Sequence, residues 1–285
     1  MRNLESYIGS ASNPRAKEWA KLLERKYRER EGKFLLEGVH LVQEALAAGW
    51  PLEAVAFDEG SGVLEQFEAY GREDDGGAAA GSGSSTKWIP VSPEIIAKCS
   101  ETGSPQAIFA VALKRPPSPE LLFGAERGLV AVLDGVQDPG NVGTIVRSAA
   151  ASGATAVVLG KGTADLYNPK TIRATMGALF HVPVLDGADL AALLPEATAR
   201  NIAVVGTSLQ AAQSCYAYDF ASRGVWLVFG NEGAGLSPAV SALTDANVII
   251  PMTGRAESLN VAMAATVLLF EAQRQRGESL VKCKS

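Results

Sequence analysis

Between residues 129 and 274 the chain repeats one rhythm: a short apolar run, a cluster of glycine and polar residues, then a stretch with helical spacing. The apolar runs fall at 129–134, 156–159, 202–206, 225–229 and 248–250. Val, Ile and Leu fill them almost without alternation, as in strands buried on both faces. Helical spacing follows at 141–152, with Ile145, Val146 and Ala149 inward, at 171–178, and in a long final stretch at 260–274. Residues 181–184 read as extended. This alternation predicts an α/β domain with a parallel sheet covered by helices on both sides. Ligands of such sheets bind outside the carboxyl ends of the strands, so the clusters at those ends are where chemistry is expected.

Three clusters stand there. The first runs from Asp134 through Gly135, Asn141 and Gly143 to Arg147. The second runs from Phe229 and Gly230 through Glu232 to Gly235 and Leu236. The third joins Ile250, Pro251 and Met252 to Ser258, Leu259 and Asn260. Taken singly, each has an ordinary explanation: glycines after strands make turns, and Ser258, Asn260 or Asn141 can cap helices. All three at strand ends of one sheet point to a shared site. No GxGxxG follows a strand and no Walker lysine motif occurs, which sets aside the usual nucleotide-binding loops. Neither His40 nor His181 sits in a nucleophile motif, and Cys99, Cys215 and Cys283 lie far apart, so a metal centre and a disulfide framework lack support. No metal is expected.

The first 115 residues are of another kind. Asn13 and Pro14 open a helix, apolar Trp19, Leu22, Leu23 and Tyr27 recur at helical spacing, and Gly32 closes it. Strands are expected at 34–36, 52–57, 88–91 and 107–113, with helices at 39–48 and 93–100. Residues 71–86, rich in Gly, Ala and Ser, cannot build a core and read as a mobile loop. The prolines at 116, 117 and 119 mark a boundary. Two domains are therefore expected, at 1–115 and 120–278.

Charge narrows the partners. The chain of 285 residues carries a net charge of −5, yet residues 1–33 hold nine Lys and Arg against five acids. A basic face on the first helix, with Lys17, Lys21, Arg25 and Arg28, is a candidate contact for nucleic-acid phosphate; a solvated face laced with ion pairs is the alternative. The longest uncharged apolar stretch, 261–270, is about half of the ~20 residues a membrane helix needs, and the N-terminus has no apolar signal core. A cytoplasmic location is expected, with no membrane partner.

The order Asn141-x-Gly143-x-x-x-Arg147, then Phe229-Gly230-x-Glu232-x-x-Gly235, then Ile250-Pro251-Met252 with Ser258-Leu259-Asn260-Val261, resembles the SpoU/TrmH branch of the SPOUT methyltransferases. The resemblance implies an RNA ribose 2′-O-methyltransferase that uses S-adenosylmethionine, with a deep trefoil knot in a catalytic domain that dimerises. Residues 12–38 are similar to the L30e-like RNA-recognition domain of several such enzymes. The full layout looks most like the bacterial 23S ribosomal RNA branch; transfer RNA, base methylation, an inactive RNA-binding homologue and an unusual nucleotide-dependent oxidoreductase remain open alternatives. The same resemblance assigns Asn141, Arg147, Glu232, Ser258 and Asn260 to the acceptor side, and Thr207, Leu209, Gly230, Ile250, Met252 and Leu259 to the cofactor pocket. It implicates Arg147 in activating the 2′-hydroxyl. A guanidinium holds its proton too firmly to act as an unaided base, so phosphate clamping is equally open. Gly230 is expected to let the chain approach the ligand closely. Apolar Val261, Ala264, Ala265, Leu268 and Leu269 are expected to give the last helix surface for a partner subunit.

Overall fold

The computed structural model describes residues 3–71, 86–255 and 257–277; most of the loop expected to be mobile lies outside them. Two units separate by their internal packing. The first contains Met1–Arg115 together with Tyr167–Phe180, and the second contains Pro116–Leu166 and His181–Ser285.

In the first unit β1 (Asn3–Leu4) precedes α1 (Pro14–Lys21) and α2 (Arg25–Glu31). There follow β2 (Lys33–Glu37), α3 (Val39–Ala47), β3 (Leu52–Phe57), β4 (Lys87–Pro90), α4 (Pro93–Lys98) and β5 (Ile108–Leu113). The strands form one mixed sheet in the order β1-β4-β3-β5-β2. Trp19, Leu22, Leu35, Ile89, Ile95, Phe109 and Val111 share its core. Cys99 is buried there, and burial pushes its thiol up to about 12, so it stays an inert thiol.

The single helix expected between Asn13 and Gly32 is in fact two. Asn13 caps the first through its Oδ1, which accepts from the Arg15 amide, and Gly32 closes the second with φ +64°. The chain turns at 22–24, where the Arg28 guanidinium folds inward and donates to the carbonyls of Leu22 at 2.7 Å and Leu23 at 2.6 Å. Those carbonyls have lost their helical partners, and a buried cation replaces them.

The second unit is the expected parallel sheet. Its elements are β6 (Leu129–Asp134), α5 (Pro139–Ala151), β7 (Ala156–Gly160), β8 (Val184–Ala188), α7 (Leu190–Ala199), β9 (Ala203–Thr207), β10 (Gln213–Ser214), β11 (Val225–Gly230), α8 (Pro238–Ser241), β12 (Ala246–Ile249) and α9 (Val261–Gly277); α6 (Pro169–Thr175) lies between β7 and β8 in sequence. Seven strands pair in the order β10-β12-β9-β11-β6-β7-β8, every pair parallel. The central strands β6 and β11 are buried along their whole length. Helices α5 and α9 pack together on one face, where Ser148 and Thr266 share a hydroxyl hydrogen bond of 2.7 Å. On the other face α7 contributes Leu190, Leu194 and Ala197 to a core with Val204, Trp226 and Val228.

The segment Tyr167–Phe180 joins β7 to β8 in the chain, yet it packs within the first unit. The Phe34 and Tyr167 rings lie 4.7 Å apart and those of Trp50 and Phe180 5.3 Å apart. Arg173 pairs with Glu37 at 3.4 Å. The backbone therefore passes between the units three times, not once at the prolines.

Candidate functional site

Strands β9, β11 and β12 are neighbours, and the loops leaving their carboxyl ends line a cavity of 590 Å³. Thr207 and Leu209 come from the first loop, Gly230 to Leu236 from the second, and Ile250 and Met252 from the third; Leu259, Asn260 and the start of α9 close it. All six residues expected to hold the cofactor are thus brought to one cavity. Leu209 is 52% exposed and Leu259 43% exposed, so two large apolar side chains present uncovered surface to that space. An apolar, flat guest such as an adenine fits between such walls, and its polar edge can meet main-chain groups. Thr207 contributes backbone here, because its hydroxyl already donates to the Val228 carbonyl at 3.2 Å.

Gly230 lines the cavity as expected of a cofactor contact, and the fold adds a second requirement for glycine there. A Cβ there would lie 2.2 Å from the carbonyl carbon of Gly235 and 2.3 Å from the Leu236 nitrogen. The second loop folds back across the strand end, and only glycine lets its backbone pass. The close approach is chain to chain.

On the acceptor side α5 begins cleanly: Asp138 caps it by accepting from the Asn141 amide at 3.0 Å, and Pro139 follows at the first turn. Glu232 reaches this turn from the second loop. Its Oε2 accepts from the Gln137 amide at 3.1 Å, while Oε1 accepts from the Asp138 amide at 3.1 Å and Asn141 Nδ2 at 2.9 Å. Burial pushes the Glu232 carboxyl upward, but the hydrogen bonds from Asn141 and from the Gln137, Glu232 and Asp138 backbone outweigh it. The net position is below the usual carboxylate range. Glu232 is accordingly an ionised anchor, unsuited to take up a proton at neutral pH.

That charge fixes the direction of a longer chain. An ionised carboxylate only accepts, so Asn141 must turn its Nδ2 to Glu232 and its Oδ1 the other way. Asn260 Nδ2 donates to that Oδ1 at 3.0 Å. Asn260 Oδ1 then accepts from the amides of Ala262 at 2.9 Å and Met263 at 3.3 Å, capping α9. Glu232, Asn141 and Asn260 form one polarised line from the first turn of α5 to the first turn of α9; each amide keeps one N–H for a ligand, and Asn141 Oδ1 keeps one lone pair while Asn260 Oδ1 is filled. Two N–H donors beside one free acceptor suit a ribose hydroxyl, which both accepts and donates.

Ser258 is exposed and lines the cavity beside this chain. Arg147 does not join it. Six residues beyond Asn141 on α5, it faces a different side of the helix, is exposed, and has no hydrogen-bond or ion-pair partner among the described residues. In the first unit Lys17, Lys21 and Arg25 are exposed, Arg25 in an i,i+4 pair with Glu29 at 2.7 Å. Arg28 is the correction: it is 2% exposed and engaged with two carbonyls, so it offers nothing to a phosphate. Two cations that sequence reasoning passed over, Lys26 and Arg30, lie with Lys21 around the Tyr27 ring at 4.8, 4.9 and 5.5 Å. Among the described residues no cluster of His, Cys, Asp and Glu is placed to hold a metal ion.

Residues 128–270 match the model of the SpoU rRNA methylase family, and residues 13–110 match that of the MRM3-like substrate binding domain. The 23S rRNA (guanosine(2553)-2′-O)-methyltransferase RlmP of Bacillus subtilis is 37% identical, over 92% of this chain and 97% of its own. The 23S rRNA (uridine(2479)-2′-O)-methyltransferase of Streptomyces viridochromogenes is 32% identical, over 94% of this chain and 92% of its own. The solved structure of the SpoU methyltransferase AviRb from Streptomyces viridochromogenes in complex with the cofactor AdoMet superimposes with a TM-score of 0.80 at 32% identity, covering 93% of this chain and 98% of that one.

Proposed function

The chain belongs to the SpoU rRNA methylase family, and on that premise we propose that it methylates the ribose 2′-hydroxyl of a nucleotide in 23S ribosomal RNA, using S-adenosylmethionine. The observation that carries this reading is a single one. The cavity with uncovered Leu209 and Leu259 opens beside the Glu232–Asn141–Asn260 chain, at the carboxyl ends of adjacent strands.

S-adenosylmethionine supplies an electrophilic methyl group on a sulfonium. Everything else falls to the chain. Leu209, Ile250, Met252 and Leu259 hold the adenosine body, with backbone of Thr207 and Gly230 at its edge. Glu232 locks the first turn of α5, and the amide N–H groups of Asn141 and Asn260 hold the acceptor nucleotide in line for transfer. Ser258 completes that side. Arg147, turned away from its own subunit's cavity on α5, serves RNA in a site shared between subunits: its planar fork fits a phosphate, and its charge stabilises the 2′ oxygen as the hydroxyl proton passes to an RNA phosphate oxygen.

The first unit supplies RNA affinity. Lys17, Lys21 and Arg25 remain the phosphate contacts, and Lys26 and Arg30 around Tyr27 take the place of the buried Arg28. The enzyme works as a homodimer through the catalytic unit. The surface that supports this is not the one the sequence suggested: Ala265, Leu268 and Leu269 are buried within the unit, and Val261 and Ala264 line the cavity. The uncovered apolar side chains on α9 are Met263, 55% exposed, and Phe270, 43% exposed, seven residues apart on one face. Helix α9 is also read as the threaded element of a trefoil knot, supported by its packing against α5, β6 and β11. No helix among the described residues is long and apolar enough to cross a membrane, in keeping with a cytoplasmic enzyme.

Ribose methylation mapped by mass spectrometry in ribosomal and transfer RNA, from cells with and without the gene, tests the proposal. One 2′-O-methyl group should vanish from 23S RNA on deletion. Loss from transfer RNA alone would move the substrate, and loss of a base methyl would overturn the chemistry.

A further inference from the structure

The motifs single out Gly230 and Glu232 and leave the residue between them open. That residue, Asn231, engages both ends of its side-chain amide. Its Nδ2 donates to the Gly135 carbonyl at 2.9 Å, and its Oδ1 accepts from the amides of Gly233 and Ala234, each at 3.0 Å. Its backbone exchanges two hydrogen bonds of 2.9 Å with Gly235. The neighbouring strand answers in kind. Asp134, the register partner of Gly230 in β6 and β11, accepts from the Ser237 amide at 2.6 Å through Oδ2, and it is 9% exposed. Each strand end therefore grips the loop that leaves the other.

We propose that Asn231, with Asp134 as its counterpart, is a positioning residue for methyl transfer: this reciprocal clasp sets the loop from Gly230 to Leu236 so that Glu232 meets the first turn of α5. The inference rests on the functional reading above and deepens it. Gly233 and Gly235 give the loop many alternative conformations, and ordering them has an entropic cost. The Asn231 amide meets that cost where no other side chain of its size can, because the position needs a donor toward Gly135 and an acceptor toward the turn at once. An aspartate would set a carboxylate oxygen against a carbonyl. A serine would keep the turn acceptor and lose the reach to Gly135. With the clasp open, Glu232 grips the Gln137 and Asp138 amides for part of the time only, and the line through Asn141 to Asn260 loses its fixed end.

The test uses the full-length protein with Asn231→Ala and Asn231→Ser. In both, turnover should fall by about tenfold or more while apparent affinity for RNA stays within about twofold, since the clasp touches geometry and no RNA contact. The second reading is the Glu232 carboxyl titration by carbon NMR, which needs no activity. Its midpoint should rise by about half a unit or more toward the ordinary carboxylate value as its donors are lost. A residue that merely stabilised the fold would lower the melting temperature and leave that midpoint in place. Asn231→Ser keeps the turn and gives both readings if Asn231→Ala does not fold. An unmoved midpoint, or wild-type turnover, overturns the clasp. If the wild-type protein forms no methylated ribose the functional reading fails, while the Glu232 midpoint still reports on the clasp.

Discussion

Two arginines with the same chemistry do opposite work in this chain. Arg28 is buried and occupied with two carbonyls, whereas Arg147 is exposed and has no partner among the described residues. Arg28→Ala should therefore cost about 2–4 kcal/mol of stability, because it strands buried carbonyls as well as losing charge-assisted hydrogen bonds; denaturant unfolding measures it. Lys21→Ala, at an exposed site, should leave stability nearly unchanged and weaken RNA binding. Arg147→Ala should reduce turnover by about 100-fold or more with affinity for S-adenosylmethionine within about twofold, since Arg147 does not line the cavity. Arg147→Lys should fail as well, for want of the planar fork. Titration calorimetry beside single-turnover rates separates the two effects. Glu232 adds a pH dependence. Its carboxyl is held below the ordinary value in the folded chain, so its stabilisation is present above the unfolded value of about 4.3 and is lost as pH falls through the lower folded value. The difference in melting temperature between wild type and Glu232→Gln should hold steady from neutral pH down to about 4.3 and shrink below it.

At the scale of elements, what the sequence disclosed is what hydrophobic pattern controls. The runs that became β6 and β11 are apolar up to their last residue because both faces are covered, and the glycine and polar clusters that follow the runs of β11 and β12 mark the cofactor cavity. Side-chain direction was not legible in the same way. A cation such as Arg28 reads as surface until a turn leaves carbonyls for it to satisfy. Asn231 left one faint signal, an Asn ahead of Gly-x-Gly after a strand, the residue type that folds its own turn. Helix α7 escaped notice because Pro195 sits inside it, and its Leu190, Leu194 and Ala197 show their spacing only once their core is known. Gly230 was legible as special, but the second requirement for it lies in a backbone crossing that no local pattern records. Gly230→Ala should therefore cost about 3 kcal/mol or more and abolish cofactor binding, because the added carbon meets backbone and not a movable side chain. Thermal melting with and without S-adenosylmethionine reads both losses.

For the whole molecule, the decisive fact is that the chain passes between its two units three times. Segment 167–180 is separated from the first unit by some fifty residues of sequence, and no spacing rule assigns it there; the contacts of Tyr167 with Phe34 and of Phe180 with Trp50 do. A chain beginning at Pro119 should keep its affinity for S-adenosylmethionine and lose RNA binding. It should also melt at a lower temperature than the full chain, because the apolar side of α6 loses its cover. Replacing Met263 and Phe270 with glutamate should shift the proposed dimer toward monomer in sedimentation, without disturbing a monomer core that neither residue enters; a wild-type chain that sediments as a monomer would contradict the dimer. The proposed acceptor is a ribose oxygen, held by the free N–H groups of Asn141 and Asn260. This acceptor is tested most directly with an RNA carrying a single 2′-deoxy nucleotide at the modified position and methyl-labelled S-adenosylmethionine. This RNA should bind as the natural one does and take up no label; label appearing on that nucleotide would place the methyl group on the base and contradict a ribose acceptor.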